Sequence, residues 1–194
     1  MSIIRTPDPD DVTGEAAALY AEDLESMGYV PSHTRIMANN PAAVRAFESL
    51  VRASRRTLDT RRYELVTLAA ARALRSQACL LAHGLRTLSV VDEDELTRIA
   101  ADYRSAGLSD AEVQMMAYAE RISTDSSSMT EVDAARLREV GFTDDEIVDI
   151  TIAAAARNFY SRALHALGVE VDDPPGLPER VRRALLEGAG VADA

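Results

Sequence analysis

Apolar positions recur three and four residues apart along most of the chain, and no stretch alternates apolar and polar residues between hairpin turns. The pattern predicts helices and no sheet. Residues 13–28, TGEAAALYAEDLESMG, set Ala18, Leu19, Leu24 and Met27 at helical spacing ahead of a glycine stop. Residues 28–40, GYVPSHTRIMANN, read as a connector that can hold a short helix. Asn40 then stands as an N-cap with Pro41 at the first helical position, a strong start signal for the helix within 40–58.

Residues 60–75, TRRYELVTLAAARALR, have the apolar density of a buried helix, and 78–89 read as another helix after a break near Ser76. A helix over 92–107 is expected to end at Gly107. Three later starts carry capping boxes: Ser109 with Glu112, Thr130 with Asp133 in a weaker version, and Thr143 with Glu146. The last opens a long helix over 144–167. The loop DDPPGLPE follows, then a final helix RVRRALLEG and a chain end expected to fray. The related pieces GLSDAEV and GFTDDEI mark a helix-pair rhythm rather than a true repeat.

Of the 194 residues 47% are hydrophobic, with no Trp and few aromatics, so the core must be built from Leu, Ile, Val, Met and Ala. The length suits one domain over 1–194. The net charge is −11, and every basic side chain other than His is Arg. An acidic surface repels phosphate backbones, which argues against a nucleic-acid partner. The cluster Arg55, Arg56, Arg61 and Arg62 is broken up by acidic neighbours and reads as a solvated or interface face. A single cysteine forms no intrachain disulfide and implies no oxidising compartment. MSIIRTPDPDD lacks a signal-peptide core, and the most apolar run, ITIAAAA, is too short to span a membrane. The expectation is a soluble, cytoplasmic, all-α protein with no membrane partner.

Candidate chemistry centres on SQACLLAH. On a helix, Ser76, Cys79 and His83 follow at i, i+3 and i+7 and share a face. A helix N-terminus and a nearby imidazolium would both favour the thiolate of Cys79. The alternative is a small buried thiol in the core. Glu64, among apolar residues, points either to a buried partner such as His83 or to an ordinary ion pair with Arg61 or Arg62. His33, His83 and His165 form no dense ligand cluster, so no metal or other cofactor is expected.

At these residues the sequence resembles the alkylhydroperoxidase D / carboxymuconolactone decarboxylase superfamily, and within it the uncharacterised peroxidase-related proteins. The family pattern is Glu, eleven residues, then Cys-x-x-Cys-x-x-x-His, matched here by Glu64, Ser76, Cys79 and His83, with similar flanks over about 15–173; the helix and tail at 174–194 lie beyond it. The resemblance implies an all-α AhpD-like helical bundle assembled as a trimer or hexamer. It implies a hydroperoxide substrate attacked by Cys79, with Glu64 and His83 as the proton relay. Ser76 replaces the family's resolving cysteine, so an external thiol reductant must close the cycle. A lyase of the decarboxylase type, or a non-catalytic oligomeric binding protein, are the competing implications.

Overall fold

The structure, a computed structural model, describes residues 3–191. Among them lie ten α-helices, two short 3-10 turns and no strand. The helices are α1 (Gly14–Met27), α2 (Ser32–Met37), α3 (Pro41–Ala53), α4 (Thr60–Ala73) and α5 (Gln77–Thr87). They continue as α6 (Glu93–Asp102), α7 (Asp110–Asp125), α8 (Glu131–Glu139), α9 (Asp144–Ala166) and α10 (Glu179–Gly188).

The start signals act locally as expected. The Asn40 side chain accepts from the Ala43 N–H ahead of Pro41. Glu112, Asp133 and Glu146 each reach back to the N-cap N–H of their own helix, at 3.0, 2.8 and 2.8 Å. One boundary differs: α6 ends at Asp102 and not at Gly107. The Asp102 carboxylate accepts from the Arg104 N–H and the Ser105 hydroxyl, diverting the chain into a 3-10 turn over Tyr103–Ser105. In α1, Leu19 is buried, but Leu24 and Met27 are exposed despite their helical spacing.

Helix α4 is the axis of the fold. Every side chain from Tyr63 to Ala71 is buried, because α5, α7 and α9 cover it on separate sides. Alanines at 69–71 on α4 and at 153, 154 and 156 on α9 let these helices approach closely. Leu65, Val66, Met115, Met116 and Ile150 fill one cluster. Leu68, Cys79, Leu80, Leu81, Tyr160 and Leu185 belong to a second, where α10 closes over α5 and α6. A Cβ on Gly188 would lie 1.9 Å from the Ala100 carbonyl oxygen, so glycine is needed where α10 meets α6.

The arginine cluster is engaged internally: Arg61 pairs with Glu95 and Glu112, Arg62 with Glu146, and Arg56 with Asp145 and Asp149. No helix among the described residues is long and apolar enough to cross a membrane. The expected fraying of the chain end concerns residues 192–194, which lie outside the described residues.

Candidate active site

The site begins at the corner between α4 and α5. Helix α4 closes with the Ser76 N–H on the Ala71 carbonyl and the Arg75 N–H on the Arg72 carbonyl, each at 3.0 Å, while Arg75 takes a φ of 53°. This is the Schellman arrangement, with Arg in the left-handed position that usually holds Gly. The reversal makes Ser76 the N-cap of α5 and sets Cys79 in its first turn, where the N–H end of the helix favours negative charge.

The same reversal folds α5 back along α4 and brings His83 to Glu64. Nδ1 of His83 lies 2.6 Å from Oε2 of Glu64, and both side chains are buried. Burial and the nearby Arg157 push the His83 pKa down to about 3, against the pull of Glu64. Burial pushes the Glu64 carboxyl up, but His83 and two arginines more than offset it and the net direction is down. The pair is therefore a carboxylate and a neutral imidazole whose Nδ1–H donates to Glu64. Nε2 is left as a hydrogen-bond acceptor.

Helix α9 supplies what lies against the sulfur. Arg157 and Ser161, one turn apart, meet Cys79: Nη1 of Arg157 is 3.5 Å from Sγ, and the Ser161 hydroxyl donates to Sγ at 3.3 Å. Arg157 is 6% exposed. Burial disfavours its charge, but Cys79 and Tyr63 outweigh that and hold its pKa above the ordinary arginine value. A permanent buried cation thus sits on the only thiol of the chain.

Cys79, His83 and Arg157 open onto one cavity of about 200 Å³. Its walls include Phe47, Tyr63 and Tyr160, with the Phe47 and Tyr160 rings stacked at 4.6 Å. Glu22, Asp23, Glu48 and His33 also line it.

Of the sequence candidates, Cys79, His83 and Glu64 come together, Glu64 from behind the imidazole. The alternative ion pair of Glu64 with Arg61 or Arg62 does not form, since those arginines pair elsewhere. Ser76 is different. It stands ahead of the helix as its N-cap; its hydroxyl is buried with no hydrogen-bond partner among the described residues, and it does not line the cavity. The expected imidazolium is also replaced: the cation beside the sulfur is Arg157. The sequence held one signal for Arg157, a lone cation directly after the apolar run 150–156.

Neither a family model nor a curated protein matches the chain. Solved structures do. An AhpD-core, uncharacterised peroxidase-related protein from Ralstonia eutropha JMP134 superposes with a TM-score of 0.80 at 22% identity, covering 97% of this chain and 96% of that one. The fold is that of the alkylhydroperoxidase D core. An uncharacterised peroxidase-related protein from Silicibacter sp. TM1040 gives 0.79 at 22% identity, over 90% of this chain and 94% of its own. The debrominase Bmp8, in a cysteine-to-alanine variant with 2,3,4-tribromopyrrole, gives 0.75 at 15% identity, over 97% and 100%. Proteins of this fold thus include ones named peroxidase-related and one named a debrominase.

Proposed function

We propose that the protein is a one-cysteine, thiol-dependent hydroperoxide reductase. The observation that carries this reading is the contact of Cys79 Sγ with the buried Arg157 guanidinium, at the wall of a cavity of about 200 Å³. A fixed cation stabilises a thiolate, and the thiolate is the attacking form. Neutral His83 accepts the thiol proton at Nε2, its orientation held by Glu64. The sulfur then bonds to the terminal peroxide oxygen as the O–O bond breaks. The products are a Cys79 sulfenic acid and an alkoxide, which takes the proton back and leaves as the alcohol. One external thiol converts the sulfenic acid to a mixed disulfide and water, and a second releases Cys79 and carries away the disulfide. Ser76 has no thiol to substitute for the first.

The test is mass spectrometry of Cys79 after a brief organic hydroperoxide pulse with dimedone present. A dimedone adduct on Cys79, absent in Cys79→Ser, is expected; an unmodified Cys79 rejects the proposal. The decarboxylase alternative needs no thiol, and the guanidinium against the sulfur favours sulfur chemistry.

The aromatic walls favour one second reading, reductive debromination of a small bromoarene. There the thiolate takes bromine from carbon, the carbanion is protonated, one external thiol displaces bromide from sulfur to leave a mixed disulfide, and a second thiol releases Cys79. Bromide release that needs Cys79 and added thiol would select it.

Homo-oligomeric assembly belongs to the same proposal. Val148, Ala155 and Phe159 form an exposed stripe at i, i+7 and i+11 of α9, and Val148 and Phe159 are each more than half exposed. Light scattering should give an oligomer that Phe159→Glu shifts towards monomer; a monomeric wild type at micromolar concentration rejects this.

A further inference from the structure

Among the described residues, two buried polar atoms on residues lining the Cys79 cavity have no hydrogen-bond partner, and they are opposite in kind: Oδ2 of Asp23 accepts, and Nε of Arg157 donates. Buried polar groups are nearly always satisfied, and an orphan costs its desolvation. Asp23 comes from α1 and Arg157 from α9. The two orphans thus sit on different walls, with Phe47, Tyr63 and Tyr160 among the residues that complete the lining. A ligand that satisfies both must present an acceptor to Arg157 and a donor to Asp23.

Size narrows the choice. An apolar cavity of about 150 Å³ admits benzene. This one, at about 200 Å³, has room for one ring and a few polar atoms. Charge narrows it further. Glu22 and Glu48 lie in the same lining as Asp23, and Arg45 pairs with both of them. With Arg86 also in the lining, the wall is not acidic as a whole, and it is the Asp23 acceptor itself that favours a neutral or cationic donor over a ligand carboxylate. Burial raises the Asp23 carboxyl pKa, outweighing a hydrogen bond from Thr34 to the carboxyl.

Building on the thiol-peroxidase reading, we infer that the substrate is a single-ring organic hydroperoxide bearing a hydroxyl or N–H donor opposite its O–O group, and that Asp23 is the residue that selects it. The carbon-bound peroxide oxygen accepts from Nε–H of Arg157, and the terminal oxygen meets Sγ of Cys79. As the S–O bond forms and the O–O bond breaks, the alkoxide develops against the guanidinium that holds it. The ring packs on the aromatic walls, and its far donor satisfies Oδ2 of Asp23. A site built around such an acceptor discriminates strongly against analogues that leave it unpaired.

Binding of unreactive alcohols tests this on the full chain. The probes are 2-phenylpropan-2-ol and 2-(4-hydroxyphenyl)propan-2-ol, titrated by calorimetry into wild type, Asp23→Asn and Asp23→Leu. The phenolic compound should bind wild type at least about tenfold more tightly, the worth of one net hydrogen bond. Asp23→Leu should erase that preference, and Asp23→Asn, which keeps a carbonyl acceptor, should retain part of it. Equal affinities in wild type, a preference that survives Asp23→Leu, or no binding of either probe at millimolar concentration would overturn the inference. Neither probe carries an O–O bond with which to oxidise a thiol. The dimedone result therefore stands whatever the titrations give, and the titrations stand if Cys79 fails to oxidise.

Discussion

At the scale of the residue, the site is a thiol held by a cation that lies 78 positions away in sequence. That separation explains what could be read beforehand. Glu64, Cys79 and His83 sit on consecutive helices, so their spacing alone brought them into view. Arg157 reaches Cys79 only through the packing of α9, which no local pattern encodes. Its role is measurable. Arg157→Met keeps the side-chain length and removes the charge, so alkylation of Cys79 by iodoacetamide at pH 7 should slow at least about tenfold. Arg157→Lys should recover part of the rate, and an unchanged rate in Arg157→Met would show that the guanidinium does not activate the sulfur. Ser76 offers the complementary experiment. Its hydroxyl is buried and unpaired, so Ser76→Cys removes a desolvated polar group without changing shape. Peroxide should then convert the variant to an intramolecular disulfide with Cys79. Persistent sulfenic acid with two free-thiol equivalents after reduction would mean that the N-cap geometry keeps the sulfurs apart.

At the scale of the element, the helix starts were legible because caps are local: Asn40, Ser109 and Thr143 each satisfy N–H groups within three residues. The ends were less legible. Asp102 terminates α6 by bonding forward, a competition that periodicity does not register. Burial around α1 was also hidden, since Leu24 and Met27 have core spacing but stand exposed. The corner that positions Cys79 carries a cost the sequence did not announce, a non-glycine residue at φ 53°. Arg75 is exposed, so Arg75→Gly should relieve it and raise stability by about 0.5–1 kcal/mol. Urea melts check this, and a lower midpoint would mean that the Arg75 side chain makes a compensating contact. Gly188→Ala should act in the opposite direction. It drives a methyl group into the Ala100 carbonyl, and a loss of about 1–3 kcal/mol is expected as α10 shifts off α6.

At the scale of the whole molecule, the same burial that builds the site sets the response to acid. His83 ionises near pH 3 when folded and near 6.5 when unfolded. Above pH 6.5 neither state binds that proton, and stability does not depend on it. Below 6.5 the unfolded chain takes up the proton and the folded chain does not. Stability then falls by up to about 1.4 kcal/mol per pH unit from this group, down towards pH 3. His33, lowered by burial to about 4, acts in the same direction, and so does Glu64, whose folded pKa lies below its unfolded value. The two histidines lining one cavity therefore couple an intact site to neutral pH, and Glu64 adds its loss only at more acid pH, below the ordinary carboxylate value. Urea unfolding at pH 7.5, 6.5 and 5.5 should show little change over the first step and a marked loss over the second. His83→Gln, which can still donate to Glu64 but cannot titrate, should make the second step shallower. Equal stability at pH 5.5 and 7.5, or an identical slope in the variant, would mean that the folded protein takes the proton as readily as the unfolded chain. The imidazole would then titrate near its ordinary value of about 6.5, and a neutral His83 would be available only above that pH.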